Sequence, residues 1–230
     1  MTRLYPSPGP VDLTQAYAHP AGASPDPART VRANMVATVD GAASGGDGLS
    51  GSVSGATDKA VFATLRRLAD VVLVGAGTAR AEGYRPAALP IAVVSGHLDL
   101  DLDAPLYTAA EHRTIVITCA SAPAQARVQA ASVADVLVCG DEHVDLAAAV
   151  DALHGRGLGH ILCEGGPTLL RQVAGAGLLD ELCLTLAPVL AGGGAGRILG
   201  GDALDPALQL ILTQLLAEDG WLFARYAVRR

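Results

Sequence analysis

Glu164-Gly165-Gly166-Pro167 places a carboxylate, two glycines and a proline directly after the short apolar run His160-Ile161-Leu162-Cys163. That run reads as a buried strand. Paired glycines let the backbone take φ > 0 and let a ligand approach the main chain. Pro167 suits a first helical turn, where its missing N–H would have had no partner. Free N–H groups at such a turn can receive a phosphate. Glu164 stands at the strand's carboxyl end, where open α/β sheets place their ligands. A carboxylate beside an anion-binding turn suits a ligand with both a phosphate and a hydrogen-bond-donating part. Taken alone, Glu-Gly-Gly fits a plain strand-to-helix connection just as well.

A second glycine turn, Gly75-Ala76-Gly77-Thr78-Ala79-Arg80-Ala81-Glu82, follows the apolar run Val71 to Val74. The third glycine of a Rossmann fingerprint is absent, with Arg80 in its place, and the turn falls well into the chain, so a simple Rossmann domain is disfavoured. Two such turns at strand ends could instead hold the two phosphate regions of one dinucleotide. Thr78 offers a hydroxyl and a helix-start N–H. Arg80 could answer a 2′-phosphate through its planar fork, or be a solvated surface arginine. Gly192-Gly193-Gly194-Ala195-Gly196 is a flexible loop that either lines a cofactor or merely connects. No G-x-S-x-G elbow and no metal-ligand spacing occurs, so triad hydrolysis and a metal centre lack support.

The elements that must carry these turns follow from hydrophobic period and punctuation. Extended segments are expected at Val31 to Val39, Val71 to Val74, Ile91 to Ser95, Thr114 to Cys119, Val136 to Cys139, Leu179 to Leu190 and within Leu208 to Val228. Helices are expected over Asp58 to Asp70, Pro123 to Ala131, Leu146 to His154 and Pro167 to Gly175. A polar loop from Ala42 to Gly55 has the length of a binding loop. Glu218-Asp219-Gly220 before Trp221 is a hairpin signal. Strand–helix alternation that ends in hairpin-linked strands predicts an α/β fold: a mixed, mostly parallel sheet flanked by helices, with antiparallel C-terminal strands. Residues 1–30 hold six of the 13 prolines and read as an arm, leaving 31–230 as the main domain.

Composition narrows the function classes. Half of the 230 residues are hydrophobic and 17% are charged, enough for a substantial core. A net charge of −7 argues against nucleic acid, which calls for a basic stripe. No apolar stretch is long enough to span a bilayer, and no secretory signal opens the chain. Lys59 is the only lysine. Cys119, Cys139, Cys163 and Cys183 each stand alone in apolar runs, which predicts buried free thiols in a reducing cytoplasm.

Asn34-Met35-Val36-Ala37-Thr38-Val39-Asp40-Gly41 resembles the opening strand of the pyrimidine reductase family, the reductase domain of the riboflavin-biosynthesis deaminase/reductase. Leu65-Arg66 with Ala69 to Thr78, then Glu164 to Leu169, and finally Leu179-Asp180-Glu181-Leu182 are similar to that family's later blocks, in the same order over roughly residues 31 to 200. The resemblance implies a dihydrofolate-reductase-like fold, a homodimer, NADPH as cofactor, and reduction of a phosphoribosylamino-pyrimidine's ribose to a ribityl chain. By position it implies cofactor contacts at Val36, Ser52, Thr78, Glu82, Ser95, Gly165, Gly166, Pro167, Thr168 and Leu169. It implies substrate contacts at Ser50, Arg66 and Glu164. Arg66 would take the substrate's phosphate or carboxylate. Glu164 would bond ring N–H groups or the ribose, and Glu164, a serine or water would supply the proton.

The chain departs from that family in three places, one of them Ser52-Val53-Ser54, where the family usually has a Trp near Ser52. The H-x-E and P-C-x-x-C signature of a zinc deaminase is missing, which excludes deamination. After Thr78 the family's Asp-Asn/Asp-Pro loop gives way to Ala81-Glu82-Gly83-Tyr84-Arg85-Pro86, which puts the substrate in question more than the cofactor. The expectation is therefore an NADPH-dependent reductase of a phosphorylated pyrimidine. A dihydrofolate or pterin reductase on the same scaffold is the first alternative, and a non-catalytic, nucleotide-binding dimeric module the second.

Overall fold

The computed structural model describes residues 1–19 and 29–229. Its centre is β4 (Val71–Gly75), whose continuous Val-Val-Leu-Val run is the pattern of a strand covered on both faces. Those four side chains are at most 1% exposed. On one side it pairs with β8 (His160–Cys163), which in turn pairs with β3 (Thr30–Thr38). On the other lie β5 (Ile91–Val94), β6 (Ile115–Thr118) and β7 (Asp135–Val138), all parallel.

Beyond β3 the sheet continues with β9 (Glu181–Ala187), also parallel because helix α7 (Pro167–Gly175) returns the chain to the same end. The direction then reverses. β10 (Leu210–Glu218) and β11 (Trp221–Val228) form a hairpin around Asp219 and Gly220, at φ 49° and 82°. Two central residues with φ > 0 match the right-handed strand twist. β11 lies antiparallel against β9. Among the described residues the result is an eleven-stranded mixed sheet with antiparallel strands at one side.

Helices pack the flanks. α2 (Ala56–Arg67) buries Val61 and Leu65 with Phe223 and Leu162 on one face of the sheet. α6 (Leu146–His154) and α7 bury Leu153, Leu170 and Val173 on the other. Asp145 caps α6 by accepting from the N–H groups of Ala147 and Ala148 at 2.9 and 3.1 Å. α5 (Ala124–Val133) covers the β6–β7 side.

The proline-rich start is more integrated than an arm laid over the domain. β1 (Thr2–Tyr5) adds antiparallel to β10, with β2 (Gly9–Pro10) beyond it. α1 (Leu13–Tyr17) sinks Tyr17 into the core, and two buried arginines tie it there. Arg32 donates to the Tyr17 carbonyl at 2.8 Å and Arg225 to that of Ala16 at 2.7 Å. Glu181 accepts from both guanidiniums, which holds its carboxyl below the usual range against the opposing effect of burial. The later part of the proposed arm, residues 20–28, lies outside the described residues. α3 (Ala76–Ala81) lies within the second glycine turn, where a helix start was expected at Thr78, whereas the short helices α1 and α4 (Pro105–Thr108) were not expected. All four cysteines are buried and free.

Candidate active site

The carboxyl ends of β3, β4 and β8 open into a cavity of about 570 Å³. Glu164 enters it as the first residue after β8, its main-chain N–H fixed to the Leu73 carbonyl at 2.9 Å. Arg66 reaches the same point from the last turn of α2. It grips Glu164 bidentately, Nε to Oε1 and Nη2 to Oε2, both at 2.7 Å. Tyr84 donates its hydroxyl to Oε2 at 2.6 Å. Phe62, one helical turn before Arg66, lies under the guanidinium at 4.4 Å from ring centroid to Cζ, and Tyr84's ring stands at 5.6 Å.

Burial disfavours the Arg66 charge, but the two hydrogen bonds and charge of Glu164 outweigh it and leave its pKa above the ordinary arginine value. Tyr84 is pushed well above an ordinary phenol by burial first and by the Glu164 charge second. It therefore keeps its proton and remains a donor. Glu164 accepts three hydrogen bonds from the protein, which leaves little lone-pair capacity for a ligand.

The two glycine turns meet beside this cluster. Gly75 donates its N–H to the Gly165 carbonyl at 2.8 Å, and the Gly165–Gly166 peptide is cis. Gly165 has φ 82°, the left-handed region where only glycine is at ease. Gly166 answers a different need: a Cβ there would overlap the Thr78 hydroxyl. Gly77 faces open space within the cavity. Asn34, on β3, lines the same cavity with its Oδ1 buried and without a hydrogen-bond partner.

Of the residues singled out in sequence, Val36, Ser50, Arg66, Thr78, Glu82, Glu164, Gly166 and Pro167 line this cavity. Glu82 accepts the Ser50 N–H at 2.8 Å, which ties the long loop to the second glycine turn. Ser52 is exposed and bonded within its own loop to Asp47 at 2.9 Å. Ser95, Gly165, Thr168 and Leu169 lie outside the lining: Ser95 is buried at the end of β5, Thr168 is exposed, and Leu169 packs in the core. Arg80 is paired with Asp99 at 2.9 Å and faces a second cavity of about 220 Å³.

Asp40 accepts the N–H groups of Ala191 and Gly192 at 3.2 and 2.7 Å, which anchors the glycine-rich loop to the end of β3. The Thr38 hydroxyl and then those two N–H groups hold its carboxyl down at about 2. Cys163 abuts the site, yet burial raises its thiol to about 12, so it offers no nucleophile. Tyr84, Phe62 and Asn34 escaped the reading of the sequence. Phe62 had a usable signal, four residues before a candidate arginine on one helix face.

The model of the family described as the RibD C-terminal domain matches residues 29–220. The chain belongs to the RibD C-terminal domain family. It is 30% identical over 211 residues to the 2,5-diamino-6-ribosylamino-4(3H)-pyrimidinone 5′-phosphate reductase of Methanothermobacter thermautotrophicus, covering 85% of this chain and 96% of that one. Among solved structures it resembles a pyrimidine reductase-like protein of Corynebacterium diphtheriae, at 28% identity and TM-score 0.81, over 96% of this chain and 100% of that one. A dihydrofolate reductase of Enterococcus faecalis, solved with NADP(H), shares the fold at 12% identity and TM-score 0.51, over 87% of this chain and 97% of that one. The curated relatives of Methanothermobacter thermautotrophicus and Archaeoglobus fulgidus are named as reductases, and the sheet described above is dihydrofolate-reductase-like.

Proposed function

We propose that this chain is an NADPH-dependent reductase of the riboflavin-biosynthesis type, acting as a cytoplasmic homodimer on the ribose of a phosphoribosylamino-pyrimidine to give the ribityl product. One observation carries the reading. Both glycine turns and the Glu164–Arg66–Tyr84 cluster converge on one cavity at the strand ends, in a chain whose curated relatives are named for that reduction.

The residues present suit a nicotinamide dinucleotide. Gly77 leaves main chain open to the cavity, and Gly166 lets the Thr78 hydroxyl of the other turn pack directly against its main chain. When bound, NADPH supplies the hydride. The protein's part is orientation. Phe62 and Tyr84 form apolar walls for a flat ring, and the Arg66–Glu164 pair sets the polar edge it meets. Asn34 Oδ1, buried and unpartnered, awaits a donor such as a substrate hydroxyl or N–H.

Aromatic walls would serve a pterin equally, and the Glu82 to Pro86 loop differs from the family's. Steady-state NADPH oxidation with the phosphoribosylamino-pyrimidine and with dihydropterin or dihydrofolate separates the readings. Turnover of the pyrimidine is the expected result. Turnover of the pterin alone refutes the substrate assignment, and NADPH binding without turnover of either favours a non-catalytic module.

A further inference from the structure

We propose that Lys59 and Arg85, at the mouth of the cavity, hold the phosphate of the substrate, and that Arg66 serves its ring end. The inference deepens the function proposed above and rests on it. Three cations line the cavity: Lys59, Arg66 and Arg85. Arg66 already spends the Nε–Nη2 edge of its fork on a carboxylate whose side chain is 2% exposed, against 23% for its own. A dianion approaching it would meet the fixed negative charge of Glu164 directly behind.

Lys59 and Arg85 differ on each count. Both are exposed, and among the described residues neither side chain has a hydrogen bond or ion pair. The two further carboxylates of the lining are otherwise engaged. Asp58 is buried and accepts the Ser54 hydroxyl at 2.6 Å, and Glu82 accepts the Ser50 N–H at 2.8 Å. In a chain of net charge −7 with one lysine, two free cations at one cavity mouth are not a general basic surface.

Spacing along α2 supports the same division. Lys59, Phe62 and Arg66 share the face that lines the cavity. Seven residues of helix separate Lys59 from Arg66 by about 10 Å. A ring held by Phe62, Tyr84 and the Arg66–Glu164 pair thus leaves its sugar phosphate directed outward to the rim. A phosphate monoester carries roughly −1.5 to −2 at neutral pH, which two cations match. The carboxylates of a folate-type glutamate tail are the other anion these cations could answer, and Arg85 also borders the smaller cavity.

The test is calorimetric titration of the NADP-loaded protein with ribose 5-phosphate, ribose and p-aminobenzoylglutamate, in wild type, Lys59→Gln and Arg85→Gln. Both positions are exposed, so unchanged melting temperatures will certify the fold. Ribose 5-phosphate should bind the wild type better than ribose does, and each variant should weaken it by about tenfold or more. NADPH affinity should stay within about twofold, since the rim is assigned to the substrate. The proposal is overturned if ribose 5-phosphate binds no better than ribose, or is indifferent to both substitutions. A loss confined to NADPH, or to p-aminobenzoylglutamate, overturns it too. Because the readout is binding, a protein that turns over no pyrimidine refutes the reaction above without deciding this result.

Discussion

Arg66→Met tests the centre of the site, because it deletes one charge while nearly keeping the volume. In the native molecule Glu164 receives two charge-assisted hydrogen bonds from Arg66, both at 2.7 Å, and one from Tyr84 at 2.6 Å. Removing the arginine strands a carboxylate that is 2% exposed. Breaking one half of a buried pair costs about 3–5 kcal/mol. The low end applies here, since Arg66 is 23% exposed and the adjoining cavity of about 570 Å³ can admit water to Glu164. We expect a loss of about 3 kcal/mol, or roughly 6–12 °C in melting temperature for a chain of this size. Replacing both partners removes the stranded charge, so Arg66→Met/Glu164→Leu should return to within about 1 kcal/mol of wild type. Urea unfolding of the wild type, both single variants and the double variant closes the cycle. Steady-state kinetics on Arg66→Met should show a large rise in KM with NADPH affinity nearly intact. A single variant within about 0.5 kcal/mol of wild type would mean the carboxylate is already solvated, and the account of the site would fail.

Three further outcomes follow from other parts of the structure. Gly166→Val should abolish NADPH binding in a fluorescence titration: at φ −66° the backbone accepts a side chain, so the obstacle is the overlap with Thr78, and normal binding would move the phosphates elsewhere. Tyr84→Phe removes one donor to Glu164, and should cost about 1.5–3 kcal/mol of transition-state binding read as kcat/KM, with an unchanged value denying Tyr84 any part in the site. His19 stacks on His160 at 3.8 Å, and burial first, then the Arg32 charge, lowers its pKa from 6.5 to about 4. A depressed histidine pKa means the unfolded chain binds the proton more readily, so this contribution is complete above pH 6.5 and fades as pH falls to about 4. His19→Gln should flatten the stability profile across that window in urea melts; an unaltered slope would exonerate His19.

Much of the scaffold was legible because its punctuation is local. Gly166-Pro167 before Leu169 marked the start of α7, and Asp219-Gly220 marked the last hairpin. α3 begins at Ala76, ahead of the helix start expected at Thr78, because Gly75 and Gly77 argue against helix and packing against the sheet overrode that weak propensity. β1 was hidden because its partners, Leu215 to Ala217, come more than 200 residues later, and nothing in a proline-rich segment announces them.

The site divides along the same line. Glu164 and Arg66 each stood out by motif, but their pairing spans 98 residues, and only the fold makes the carboxylate and guanidinium one unit. Their pairing changes what each can do. With three protein donors on Glu164, little acceptor capacity is left for a ligand, and we propose that discrimination falls mainly to what surrounds it. Those surroundings are Tyr84 and Arg85, from the segment that departs most from the family pattern, and Asn34, whose Oδ1 still lacks a partner. We therefore propose that substrate choice depends on the Glu82 to Pro86 loop. A substitution there should alter KM between pyrimidine and pterin, while one at Gly166 should weaken the cofactor for both.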